Sequence, residues 1–169
     1  SLADTYRNTP WLKGARPLHC CAYAGNTTIA EKLIAMGAEV DVRAGAGETP
    51  LYVAAIRSQP ALVELLLAKG ADLRKKTVSG QTLLHGVCKT GDVAMLATLI
   101  DRGCEVNEKD SGGLTPLHCA VANGRSDSVE CLVRHGANID AQGEKGVTPL
   151  LFAVDVGSEA MISLLLRLG

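Results

Sequence analysis

Aromatic residues make up only 3% of the 169 positions, and neither sign of charge prevails, the formal net charge being −1. So few aromatics leave little material for stacking nucleic-acid bases, and a near-neutral chain offers no basic footprint for a phosphate backbone. No apolar run approaches the roughly 18–20 residues that a membrane-spanning helix needs. The opening stretch, SLADTYRNTP, lacks the charged-then-apolar order of a secretory signal. There is no C-x-x-C pair, no G-x-S-x-G, no Gly-Lys-Ser/Thr phosphate loop and no H-E-x-x-H. The best-known zinc, hydrolase, nucleotide and metalloprotease signatures are therefore missing. The remainder, 47% hydrophobic and 21% charged, has the composition of a soluble, folded protein.

What is present is repetition. Gly14, Gly47, Gly80, Gly113 and Gly146 are spaced by 33 residues. Leu18, Leu51, Leu84, Leu117 and Leu150 keep the same step of 33, as do Gly37, Gly70, Gly103, Gly136 and Gly169. Three series sharing one period predict five copies of one unit, at about 14–40, 41–73, 74–106, 107–139 and 140–169, within a single domain over 1–169. The chain starts without Met and stops inside the pattern, so a fragment of a longer protein is expected.

Each copy carries its own start and stop signals. Thr49-Pro50, Thr115-Pro116 and Thr148-Pro149 predict helix starts, with Thr as cap and Pro at the first helical position. A short helix rich in small residues follows, then a turn at Gly25, Ser58, Gly91, Gly124 or Gly157. A second, Leu-rich amphipathic helix ends on the next glycine of the series, where a positive φ is the usual stop. The polar link to the following copy suits an extended finger closed by a tight turn.

These residues carry a resemblance. TPLHCAVANG and LVRHGANIDAQ resemble the ankyrin repeat, over nearly the whole chain from Gly14 to Gly169. Departures are local: Arg16 stands for the capping Thr, Leu83 for the Pro and Leu151 for the His. The resemblance implies an all-α repeat solenoid of helix-turn-helix units with β-hairpin fingers. It also implies a protein-binding surface made of finger tips and the exposed ends of the first helices.

Stacked units bury their own apolar stripes, which settles several tempting signals. His19, His85 and His118 recur at the repeat period, so they read as buried residues bonded to turn backbone, not as a metal or catalytic set. His135 reads as a cation at a helix end. Cys21, Cys88 and Cys119 stand where other copies carry Ala or Val, as small buried hydrophobes do, and all six cysteines read as reduced thiols. The expected location is accordingly cytoplasmic, nuclear or both.

Function must lie where the copies differ. The pairs Tyr23-Ala24, Ile56-Arg57, Lys89-Thr90, Ala122-Asn123 and Asp155-Val156 vary freely, as do the finger tips. The partner-binding candidates are Tyr23, Glu48, Ile56, Arg57, Gln81, Lys89, Asn123 and Asp155. Trp11 is a candidate either for partner contact or for covering the first repeat. Asn107 falls where proteins of the resembled family are hydroxylated by an asparaginyl hydroxylase; Asp41, Arg74 and Asp140 hold the corresponding positions. The terminal helix keeps the internal pattern, so Met161, Ile162 and Leu165 are expected to be exposed and adhesive. No enzyme, cofactor, metal, nucleic acid, membrane insertion or small-molecule substrate is expected. The expected role is a scaffold or adaptor module holding a protein or peptide, such as a ubiquitin-ligase substrate receptor. The alternative is a regulatory segment of a larger enzyme or ion channel.

Overall fold

The computed structural model describes residues 14–169; the expectation for Trp11 lies outside them. The described chain holds ten α-helices in five pairs. They are α1 (Pro17–Ala24) with α2 (Thr27–Ala35), α3 (Pro50–Ile56) with α4 (Pro60–Ala68), α5 (Leu83–Thr90) with α6 (Val93–Asp101), α7 (Pro116–Ala122) with α8 (Ser126–Arg134), and α9 (Pro149–Val156) with α10 (Glu159–Leu168). By its contacts the chain divides into two compact units, one running to Val78 and the other starting at Ser79.

In the first unit α1 packs on α2 and α3, α3 on α4, and α2 on α4. In the second, α7 packs between α5 and α9, each with its own second helix, and α8 sits between α6 and α10. The period-33 leucines supply the centre of this packing: Leu18, Leu51, Leu84 and Leu117 are buried, and Leu150 is half-buried. Short first helices filled with Ala, Val and Cys let adjacent backbones approach closely, which long side chains would prevent.

The helices begin where the sequence signals place them. Thr49 Oγ1 accepts from Tyr52 N at 3.2 Å, and Thr148 Oγ1 from Leu151 N at 3.3 Å. The departures do not disturb the pattern: α1 still starts after Arg16 and α5 still starts at Leu83. The turn in α3–α4 has no glycine, and Ser58 takes φ 54° there, a conformation that strains a side-chain-bearing residue.

The fingers differ from expectation. Among the described residues they contain no β-strand. Three of them are tight turns closed at the base by Ala44 N to Glu48 O at 2.8 Å, Asp110 N to Leu114 O at 2.9 Å and Gly143 N to Val147 O at 2.8 Å, each with a second bond inside the turn from Gly47 N, Gly113 N or Gly146 N. Successive fingers are joined by single backbone bonds, Val78 N to Ala46 O at 2.8 Å in the first unit and Ser111 N to Ser79 O at 3.0 Å in the second. One bond per step is too few for a ladder. Gly80 shows why glycine recurs at the turn: its φ is 75°, and a Cβ there would lie 2.6 Å from Ser111 N.

A second correction concerns α10. Met161 and Leu165 are buried and Ile162 is half-buried, because this face packs inward against α8 and α9. The exposed large apolar residues of this last helix pair are instead Leu151 at 54%, Val154 and Val156 at 56% and Leu166 at 65%.

Candidate functional site

The three period-related histidines are buried struts. In each, Nε2 faces a carbonyl of the next finger: His19 to Glu48 O at 3.0 Å, His85 to Leu114 O at 2.9 Å, His118 to Val147 O at 3.0 Å. A carbonyl can only accept, so Nε2 carries the proton and Nδ1 offers its lone pair. That lone pair receives Arg16 N at 3.1 Å, Thr82 N at 3.2 Å and Thr115 N at 3.1 Å. The hydroxyls of Thr82 and Thr115 point at the same nitrogens, at 2.8 and 2.9 Å. Burial pushes all three imidazoles below their ordinary pKa, so they stay neutral. The copies between and after them place Tyr52 and Leu151 at this rung. His135 is exposed, and its ring nitrogen lies 2.7 Å from Cys131 O in the last turn of α8.

Every cysteine is a free thiol, and four of them are buried. Burial raises the pKa of Cys21, Cys88, Cys119 and Cys131, and pushes Cys104 up to about 11. These thiols pack as small hydrophobes and are poor nucleophiles. Among the described residues no three His, Cys, Asp or Glu side chains are grouped to hold a metal ion. No helix among them is long and apolar enough to cross a membrane.

The expected partner residues fall into different situations. In the first unit Tyr23 and Arg57, 34 positions apart, meet: the guanidinium carbon sits 4.3 Å from the centre of the phenol ring. Ile56 is half-buried on the same helix end, while Arg57 is exposed. Glu48 is not at the surface. It is 8% exposed and accepts from Ala46 N at 3.2 Å, so its carboxylate braces the finger from within.

In the second unit Lys89 is exposed and donates to Gln81 Oε1 at 2.9 Å. Asn123, also exposed, turns back to donate to Cys119 O at 2.8 Å. Asp155 borders an open cavity of about 410 Å³ with Val147, Leu151 and Phe152.

Asn107 is exposed, yet both ends of its amide are engaged: Nδ2 donates to Gly136 O at 2.9 Å and Oδ1 accepts from Asn138 N at 2.8 Å. Asp41 does half of this work in the first unit, accepting from Asp72 N at 3.1 Å. Sequence reasoning passed over Asp110, whose Oδ1 accepts from both Gly112 N at 2.9 Å and Leu114 N at 3.0 Å and so sets the turn of its finger. Its signal was an Asp two residues before a Gly-Gly pair.

The family model described as Ankyrin repeats (3 copies) matches the chain at residues 2–77, 59–143 and 84–169. A comparison with curated proteins returns no match. Helix pairs of constant step, histidine struts between inner turns and glycine-closed fingers agree with that model over nearly all of the sequence, and the chain belongs to the ankyrin-repeat family.

Proposed function

We propose that this chain is a protein-interaction module that holds a peptide segment of its partner on its finger and inner-helix surface, serving a scaffold or adaptor. Ankyrin repeats generally mediate protein–protein interaction. The observation that carries the finer reading is the stack of Arg57 on Tyr23 beside Ile56. Neither Tyr23 nor Arg57 is needed to pack the repeat, since other copies hold Lys89, Asp155 or small residues at those steps. Tyr and Arg are also the residue types most enriched where binding energy concentrates. Arg57, Arg74, Lys75 and Lys76 make this unit's surface cationic, so an acidic or mixed-charge peptide with one apolar anchor is the ligand class. Gln81, Lys89, Asn123 and Asp155 hold the corresponding steps of the second unit. A substrate-receptor role in a ubiquitin ligase fits such a module; a regulatory segment of a larger enzyme or channel is the alternative.

The test is capture of a partner with this chain, followed by titration of that partner against variants. Tyr23→Ala or Arg57→Ala should weaken binding by about 1–3 kcal/mol without unfolding the chain. Glu64→Ala and Asp101→Ala, on exposed faces of second helices, should leave affinity unchanged. If the second-helix changes abolish binding while Tyr23 and Arg57 are silent, the surface is wrongly assigned.

Asn107 is proposed as a hydroxylation site in the same module, its side chain exposed at a finger base with both ends of the amide bonded. Peptide mass spectrometry after exposure to an asparaginyl hydroxylase should find one added oxygen on Asn107; its absence removes the proposal.

A further inference from the structure

The first helix of the last pair differs from its counterparts in what covers it. On α1, α5 and α7 the rungs of His19, His85 and His118, and those of Ala22, Cys88 and Val121, are buried, because a following first helix packs on each. At the same rungs α9 carries Leu151 and Val154, both exposed. Apolar surface therefore meets water at a place that is closed in those copies.

Beside it lies the open cavity of about 410 Å³ lined by Val147, Leu151, Phe152 and Asp155. Leu151 and Asp155 stand one helical turn apart and so share a face of α9. Phe152 is held edge-on to His118, the ring centres 5.8 Å apart at 76°. Asp155 is exposed, and among the described residues no hydrogen bond or ion pair engages its carboxylate. The cation of α10, Arg167, is taken by Glu130 at 2.9 Å.

Two properties of this cavity select its occupant. Three of its residues offer apolar wall, and the fourth adds one negative charge without a partner. A neutral apolar side chain would cover that carboxylate and leave it unpaired, and an acidic one would be repelled. A long basic side chain meets both demands: its methylene stem lies on the apolar wall while its charged head reaches the carboxylate. Arginine fits better than lysine, because its planar guanidinium is less strongly hydrated, packs on an aromatic ring and donates twice to one carboxylate.

We propose that this cavity receives an arginine side chain of a partner peptide, with Asp155 as its counter-ion. The site lies on the interaction surface proposed above and rests on that reading. It gives Asp155 the opposite selectivity to Arg57: a basic residue of the ligand, not an acidic one.

The experiment follows the backbone amides of the whole chain by nitrogen-resolved NMR during titration with a capped pentapeptide, four alanines around a central arginine. Parallel titrations place lysine, norleucine or glutamate at the centre, at equal ionic strength. Saturating shifts centred on Val147, Leu151, Phe152 and Asp155 are expected with arginine, binding about threefold weaker with lysine, and no saturation with norleucine or glutamate. Asp155→Asn, which keeps the size of an exposed side chain, should weaken arginine binding by about threefold to tenfold. Asp155→Lys should abolish it and turn the preference to glutamate. Norleucine binding as tightly as arginine, or arginine binding unchanged in both Asp155 variants, overturns the proposal. So do the same amide shifts on concentrating the chain alone, which would assign this face to a second copy. Once a partner is captured, loss of its affinity with Tyr23→Ala but not with Asp155→Asn removes this site and leaves the wider reading intact.

Discussion

Two kinds of turn recur in both units: one in which a threonine alone caps the helix, ahead of Tyr52 and Leu151, and one braced by a histidine, at His19, His85 and His118. In the first unit Thr49 caps α3, its hydroxyl accepting from Tyr52 N, with no imidazole at this rung. In the second, the hydroxyls of Thr82 and Thr115 face His85 and His118, which in turn reach the carbonyls of Leu114 and Val147. Thr82 and Thr115 accept from the amide three positions later as Thr49 does, and their hydroxyls in addition face the imidazole, so a histidine there adds a bond without removing the cap. The variable steps differ as well: Tyr23 and Arg57 reach across to each other, whereas Asn123 folds back on its own helix. An identical backbone register therefore yields a stacked cation–aromatic patch in one place and self-satisfied polar groups in another.

The largest expected effect comes from breaking a strut. His118→Ala removes the partner of Thr115 N and of Val147 O and leaves a cavity, so urea unfolding should show a loss of about 3 kcal/mol. A loss below about 0.5 kcal/mol would mean that the imidazole fills space without bracing the finger.

Asn107→Asp converts the second unit's finger base to the residue that the first unit carries at Asp41. The acceptor for Asn138 N survives and the donor to Gly136 O is lost. A destabilisation of about 1 kcal/mol is expected by chemical denaturation, and none at all would show that the donor bond is idle.

Ser58→Gly tests the opposite direction. With φ at 54°, Ser58 pays strain that the glycines of the other inter-helix turns do not. Relief of that strain, set against glycine's greater freedom when unfolded, should raise stability by about 0.5–1 kcal/mol, visible as a higher Tm. A lower Tm would place the cost of this turn elsewhere.

The gentlest probe is acid. Each strut histidine is held below its ordinary pKa, so the folded chain binds fewer protons than the unfolded chain below about pH 6.5. Their contribution is complete above that pH and is lost as pH falls toward the folded values. The second unit has two such histidines and the first has one, so amide-exchange protection should drop more in α5 and α7 than in α1 and α3 on going from about pH 7 to about pH 5. Equal or reversed losses would show that other groups govern the acid response.

Much of the architecture was legible before any coordinates. The step of 33 residues, the Thr-Pro starts and the glycine stops are local backbone requirements, repeated until chance is excluded. So was the burial of the histidines, because a residue recurring at the repeat period belongs to the repeat. The finger strands were overcalled, since an extended segment becomes a strand only when successive fingers share more than one backbone bond, which sequence does not reveal. Met161 and Leu165 were misplaced for a similar reason: which side of an amphipathic helix is covered depends on the neighbour it packs against.

What the sequence alone determined about this protein is its unit, its period and the set of positions free to vary, because those follow from φ, capping and apolar spacing within a few residues. Which of those free positions present usable chemistry was decided by tertiary structure. Glu48 reads as a surface carboxylate and turns inward; Tyr23 and Arg57 read as separate residues and stack. The stack depends on a side chain contributed by a different repeat, and a distance across repeats is fixed only when the repeats pack.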